Sequence, residues 1–198
     1  MTRRRYGRTM GIAVAVALLV GASACGDDDG DEAADTSATS TTAQATTTTL
    51  GVTTVEVVAR DYTFDGVPET VAAGSTISIT TEDGGEPHEF VAARLPDGET
   101  RSVDELIALP EAEFGALFAD EEGTLVTIAL PGTTDTPGPV VGDGTLTLPG
   151  RYLYLCTFPQ GTTVEDVQNA TGPLQGEDPH YTLGMFGELT VEEVGAGG

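Results

Sequence analysis

His88, Cys156, His180 and Met185 are side chains whose types suit them to act together on a soft metal ion. The 198-residue chain has 2 histidines, 2 cysteines and 3 methionines. Cys25, Met1 and Met10 fall at the N-terminus, so these four are all the imidazole and sulfur donors of the rest of the chain. Two imidazoles, a thiolate and a thioether make the donor set of a type 1 copper site. His₂Cys forms a trigonal plane and Met lies on a long, weak axial bond. Cu(I) favours sulfur and low coordination, whereas Cu(II) tolerates nitrogen. An intermediate geometry held by a stiff scaffold moves little between the two states, so one electron passes over a small barrier. Singly, each residue has a plainer reading: a polar strand start after Pro87, a small buried hydrophobe, core filler. Jointly they point to one copper ion.

A scaffold able to hold them is legible in the pattern. Val55 and Val57 alternate with Glu56; Tyr62 and Phe64 follow; Ile77 and Ile79 alternate with Ser78 and Thr80. Extended runs recur at His88–Val91, Leu125–Ile128, Leu146–Leu148, Tyr152–Cys156 and Leu189–Val191, with Gly and Pro between them. Seven or eight short period-2 segments predict an all-β fold, an antiparallel sandwich or barrel. Tyr152, Tyr154 and Cys156 share one face of their strand by alternation. One stretch departs from this rhythm. Ser102-Val103-Asp104-Glu105 reads as a capping box and Pro110 as the start of a second short helix, so residues 102–118 form a helical insertion.

Three segments resemble the cupredoxins of the plastocyanin and azurin type. They are Glu86-Pro87-His88-Glu89-Phe90, then Pro149-Gly150-Arg151-Tyr152-Leu153-Tyr154-Leu155-Cys156, and last His180-Tyr181-Thr182-Leu183-Gly184-Met185 with the strand after it. The resemblance spans about residues 53–193 and implies a cupredoxin-like Greek-key β-sandwich. It also implies His88, Cys156, His180 and Met185 as the ligands of one type 1 copper. The order His…Cys…His-x₄-Met carries the likeness. In the family, the second histidine is usually the more exposed ligand, which would make His180 the electron exit. The chain departs from the pattern in one respect: 23 residues separate Cys156 from His180, where familiar members have only a few.

The N-terminus reads as an address followed by an anchor. Arg3, Arg4, Arg5 and Arg8 precede the apolar run Gly11–Val20, and Ala22-Ser23-Ala24 precede Cys25. Charge, a short apolar core and small residues make a secretion signal over 1–24. A cysteine directly after them resembles the lipobox of bacterial lipoproteins and implies lipidation of Cys25. Acyl chains then hold the chain to a membrane at about 0.8 kcal/mol per buried CH₂. Residues 25–52 read as a disordered acidic and Thr-rich tether, with a root-mean-square span of roughly 30 Å. Residues 53–198 form the domain. With Cys25 lipidated, Cys156 has no disulfide partner and stands as a free thiol.

Charge excludes other classes. Lys+Arg is 8 against 32 acids, a formal charge of −24. Removing the signal leaves four arginines and a charge of −28, which repels nucleic acid and anionic lipid. The reading is therefore a monomeric, membrane-anchored electron carrier on the extracytoplasmic face, meeting a redox partner with a basic docking face. Two alternatives stand beside it: a Cu(I) trafficking or storage lipoprotein, and a metal-free interaction domain. An enzyme is not expected, because no nucleophile–base pair is visible and a filled copper site has no open position.

Overall fold

The computed structural model describes residues 50–119 and 122–194. The expected signal, the lipidated Cys25 and the tether up to residue 49 lie outside the described residues. Among the described residues no helix is long and apolar enough to cross a membrane.

Ten strands among the described residues form two sheets. One contains β1 (Thr54–Arg60), β2 (Thr63–Asp65), β4 (Ser75–Thr81) and β8 (Thr145–Leu146), in the order β2-β1-β4-β8. The other contains β3 (Thr70–Ala72), β5 (His88–Arg94), β6 (Thr124–Ala129), β7 (Pro137–Val141), β9 (Gly150–Leu155) and β10 (Phe186–Glu192), in the order β3-β10-β9-β5-β6-β7. The expected all-β sandwich of two sheets is present. Two pairings within it are parallel, β1 with β4 and β3 with β10, where an antiparallel arrangement was expected throughout. The chain crosses to the opposite sheet around β3, so it returns to β4 running in the direction of β1. β7 was not expected, because Pro137 and Pro139 obscure its pattern. As an edge strand it tolerates prolines that a central strand would not.

Alternation builds the core. Val55, Val57 and Ala59 of β1 and Ile77 and Ile79 of β4 meet Phe90, Ala92, Tyr152, Leu189 and Val191 of the facing sheet. β9 is covered on both faces, which explains its unbroken Tyr-Leu-Tyr-Leu-Cys sequence. Tyr152 and Cys156 belong to the core between the sheets; Leu153 and Leu155 belong to a second cluster on the outer face.

That second cluster is closed by the helical insertion. Helix α1 (Val103–Ile107) starts at Ser102, whose hydroxyl accepts from the Glu105 N–H while the Glu105 carboxylate accepts from the Ser102 N–H. Helix α2 (Glu111–Ala116) follows Pro110. Leu106 and Leu117 bury themselves against Val91, Leu153 and Leu155. The insertion also reaches the functional end of the sandwich, where the Phe114 ring stacks on Tyr181 at 5.2 Å.

Candidate metal centre

His88 is the first residue of β5 and Cys156 the first after β9. These strands pair antiparallel, with Val91 opposite Leu155, so the register carries Cys156 opposite Phe90. His88 and Phe90 share one face by alternation, which brings the imidazole and the thiol to the same end of the sheet.

His180 arrives by a different route. The 23 residues after Cys156 are a folded excursion whose two ends meet. Pro159 bridges to Pro179, and the Gln160 N–H donates to the Asp178 carbonyl at 3.2 Å. Between them lies helix α3 (Val164–Asn169), opened by a Thr163–Asp166 capping box. The chain therefore returns to its starting point. His180 N–H donates to the Phe158 carbonyl at 2.9 Å and Tyr181 N–H to the Cys156 carbonyl at 3.0 Å. A single 3₁₀ turn, His180–Leu183, ends at Gly184, whose φ of 112° is strained for any residue with a Cβ. Met185 N–H then donates to the His180 carbonyl and Cys156 N–H to the Met185 carbonyl, both at 3.1 Å. At Gly187 a Cβ would collide with the Tyr154 ring, so glycine lets β10 pass beneath it.

The outcome is a cluster with no exposed surface. His88, Cys156, His180 and Met185 are each 0% exposed. The two Nδ1 atoms stand 3.2 Å apart. Cys156 Sγ lies 3.4 Å from His180 Nδ1 and 3.9 Å from His88 Nδ1. Donors about 2.0–2.3 Å from one ion, at trigonal or tetrahedral angles, stand roughly 3.3–3.8 Å apart. The three donor separations, 3.2, 3.4 and 3.9 Å, bracket that spacing, so the donors face one another about as a single shared ion requires. Met185 joins them through its backbone and is packed in the same core as Cys156.

The far sides of the rings meet carboxylates. His180 Nε2 is 3.0 Å from Glu86 Oε2. His88 Nε2 is 3.5 Å from Asp61 Oδ1, within ion-pair range, but it makes no hydrogen bond. Glu86 Oε2 also accepts the Gly161 N–H at 2.8 Å, and Asp61 Oδ1 accepts the Glu86 N–H at 3.2 Å. Tyr62 sits edge-on to His180, with centroids 5.1 Å apart, and its hydroxyl accepts from Gln160 Nε2 at 2.9 Å. On the outer side, Glu89 is 7% exposed and accepts from both the N–H and the hydroxyl of Thr157, the residue after Cys156. Sequence reasoning gave these residues no role. Asp61, Glu86 and Glu89 are three acids among 32, and no spacing singles them out. One expectation is corrected. His180 was expected to be the more exposed ligand, whereas it is 0% exposed, as His88 is, with Glu86 and Tyr62 against its ring.

Burial also sets protonation. It lowers His88 to about 4, helped by the neighbouring His180 and resisted by Asp61. Burial likewise lowers His180, against Glu86. It pushes the Cys156 thiol up, with Glu89 adding to the effect. The metal-free cluster therefore holds two neutral rings and a protonated thiol. For His88 the folded value lies below the ordinary 6.5, so the unfolded chain takes the proton first. The stabilisation is whole above pH 6.5 and is lost as pH falls towards 4. Glu89, raised by burial, acts in the opposite sense, favouring the fold in acid and less so as pH rises through its folded value. The metal-free chain is expected to lose on the order of 2 kcal/mol between pH 7 and pH 5 through His88, a loss that His88→Asn removes. Urea midpoints of the two proteins at both pH values check this. Equal pH dependence contradicts it.

No protein-family model and no curated sequence matches the chain. Among solved structures it is similar to auracyanin A, a "blue" copper protein of the green thermophilic photosynthetic bacterium Chloroflexus aurantiacus. The identity is 23% and the TM-score 0.39, over 72% of this chain and 100% of that one. It is similar to dithionite-reduced auracyanin from Roseiflexus castenholzii, with 24% identity and a TM-score of 0.39, over 72% and 98% of the two chains. An azurin from Methylomonas sp. strain J matches at 14% identity and a TM-score of 0.36, over 72% and 100%. These likenesses are loose. Strand order and the convergence of His88, Cys156 and His180 are this chain's own evidence.

Proposed function

Starting from a cupredoxin-like sandwich with a buried His–Cys–His cluster, we propose that the domain holds one copper ion in a type 1 site and carries electrons. The carrying observation is the convergence of three donor atoms, all within 4.8 Å of one another and all buried. His88, Cys156 and His180 would hold the ion through these three atoms, and Met185 would add its thioether. Bound copper supplies a one-electron couple. The chain's own residues do the rest. The sandwich fixes His88 and Cys156, the backbone bonds of residues 156–158 fix His180, and the excursion excludes water. Loading releases the Cys156 proton, because only the thiolate is a strong ligand.

Lipidated Cys25 anchors this carrier to the extracytoplasmic face of the cell membrane as a monomer. Its acidic surface, formally −28 without the signal, suits a partner with a basic docking face and steers encounter in a salt-dependent way. The test is addition of Cu(II) to the purified chain. One equivalent is expected to give an intense visible thiolate-to-copper band. Tight Cu(I) binding without that band would make the chain a copper trafficking or storage protein. No binding of either ion would leave a metal-free interaction domain.

A further inference from the structure

A neutral imidazole carries one N–H, and the nitrogen that holds it decides which lone pair is free. For two buried rings whose Nδ1 atoms are 3.2 Å apart, this choice is consequential. A proton on His180 Nδ1 would be shared with His88 and would block metal binding. A proton on His180 Nε2 leaves its Nδ1 lone pair aimed at the cluster. A carboxylate accepts and does not donate, so Glu86 Oε2 at 3.0 Å from Nε2 selects the second state. The same oxygen accepts the Gly161 N–H at 2.8 Å, so the ring and the excursion share one fastening point. His88 has only a looser counterpart, Asp61 Oδ1 at 3.5 Å from its Nε2, too far for a hydrogen bond.

We propose that Glu86 is the positioning residue of His180: it locks the ring as the Nε2–H tautomer, pins the excursion over it, and places a negative charge behind the ligand. The charge part of this role rests on the copper reading above. The tautomer part does not. Removing the negative charge while keeping the acceptor destabilises the more positive oxidised state, so Glu86→Gln raises the potential. Removing the acceptor releases the ring, so Glu86→Ala weakens binding of any metal.

The test begins with the metal-free full chain and nitrogen-15 spectra of its histidine rings. His180 is expected as Nε2–H in the native chain and in Glu86→Gln, and as a tautomer mixture in Glu86→Ala. With copper, Glu86→Ala is expected to bind about 10–100-fold more weakly. Glu86→Gln is expected to shift the Cu(I)-to-Cu(II) affinity ratio about tenfold towards Cu(I), close to 59 mV for a one-electron couple. A native His180 protonated at Nδ1, or an unchanged tautomer in Glu86→Ala, overturns the proposal. An unmoved potential in Glu86→Gln overturns its charge part. A native chain with the expected tautomer that takes up no copper supports the positioning role and removes the copper reading.

Discussion

Cys156→Ser is expected to give a folded chain with no visible thiolate band and at least about a thousandfold weaker copper binding, a loss of roughly 4 kcal/mol. The thiolate is the only soft anionic donor in the cluster, and softness is what selects copper at such a site. The two rings and Met185 remain, but none of them carries charge to offset that of the ion. The fold should survive. Cys156 is 0% exposed, so a serine hydroxyl there needs a partner, and His180 Nδ1 lies 3.4 Å from the present sulfur. With that partner taken, the cost is about 1–2 kcal/mol. Visible spectra, competition with a chelator and a urea midpoint read the three parts separately. A variant that keeps the band would show that Cys156 is not the ligand.

Phe90→Ala is expected to cost about 3–5 kcal/mol of stability, the range for truncating a buried aromatic. Phe90 is 0% exposed between the sheets. Its ring stacks on Tyr154 and meets Phe64 edge-on, each at 5.1 Å. Removing it leaves a cavity beside Phe64 and Tyr154 and takes away its contacts with both rings, while their contact with each other at 5.9 Å remains. Domains of this size are stable by about 5–15 kcal/mol, so the variant falls close to the unfolding threshold. Its melting temperature should drop by roughly 6–20 °C. Phe90 also lies opposite Cys156 in register and two residues from His88. A weakened copper band is therefore expected alongside the lower midpoint. A loss below about 1 kcal/mol would mean that the core closes over the gap.

The two predictions rest on features that differ in how readable they are from the chain alone. Tyr152 and Cys156 can be placed on one face because strand alternation is a local property, whereas the burial of Leu153 on the other face depends on a tertiary cluster. The Ser102–Glu105 capping box is equally local, and helix α1 begins where it indicates. The sense of pairing is not local. Nothing in Val55–Val57 or Ile77–Ile79 tells whether β4 runs with or against β1. His88, Cys156 and His180 could be named because donors of their kind are scarce. How His180 crosses a 23-residue gap could not be seen, because the closure at Pro159 and Pro179 is a tertiary contact. Glu86 was hidden by abundance. In so acidic a chain, one carboxylate with a task looks like all the others.

Burial of the cluster sets a clock on metallation. The donors have no exposed surface of their own, although a cleft lined by Asp61, Glu82 and Gly85 reaches the edge of His88, so a copper ion would reach them as neighbouring groups move, Gly161 and Gln160 parting from Glu86 and Tyr62. Uptake should then level off as copper concentration rises, at the rate of that parting, and escape should be held back by the same step. The fastest time to acquire the ion would be before residues 157–179 have settled, while the polypeptide is still folding.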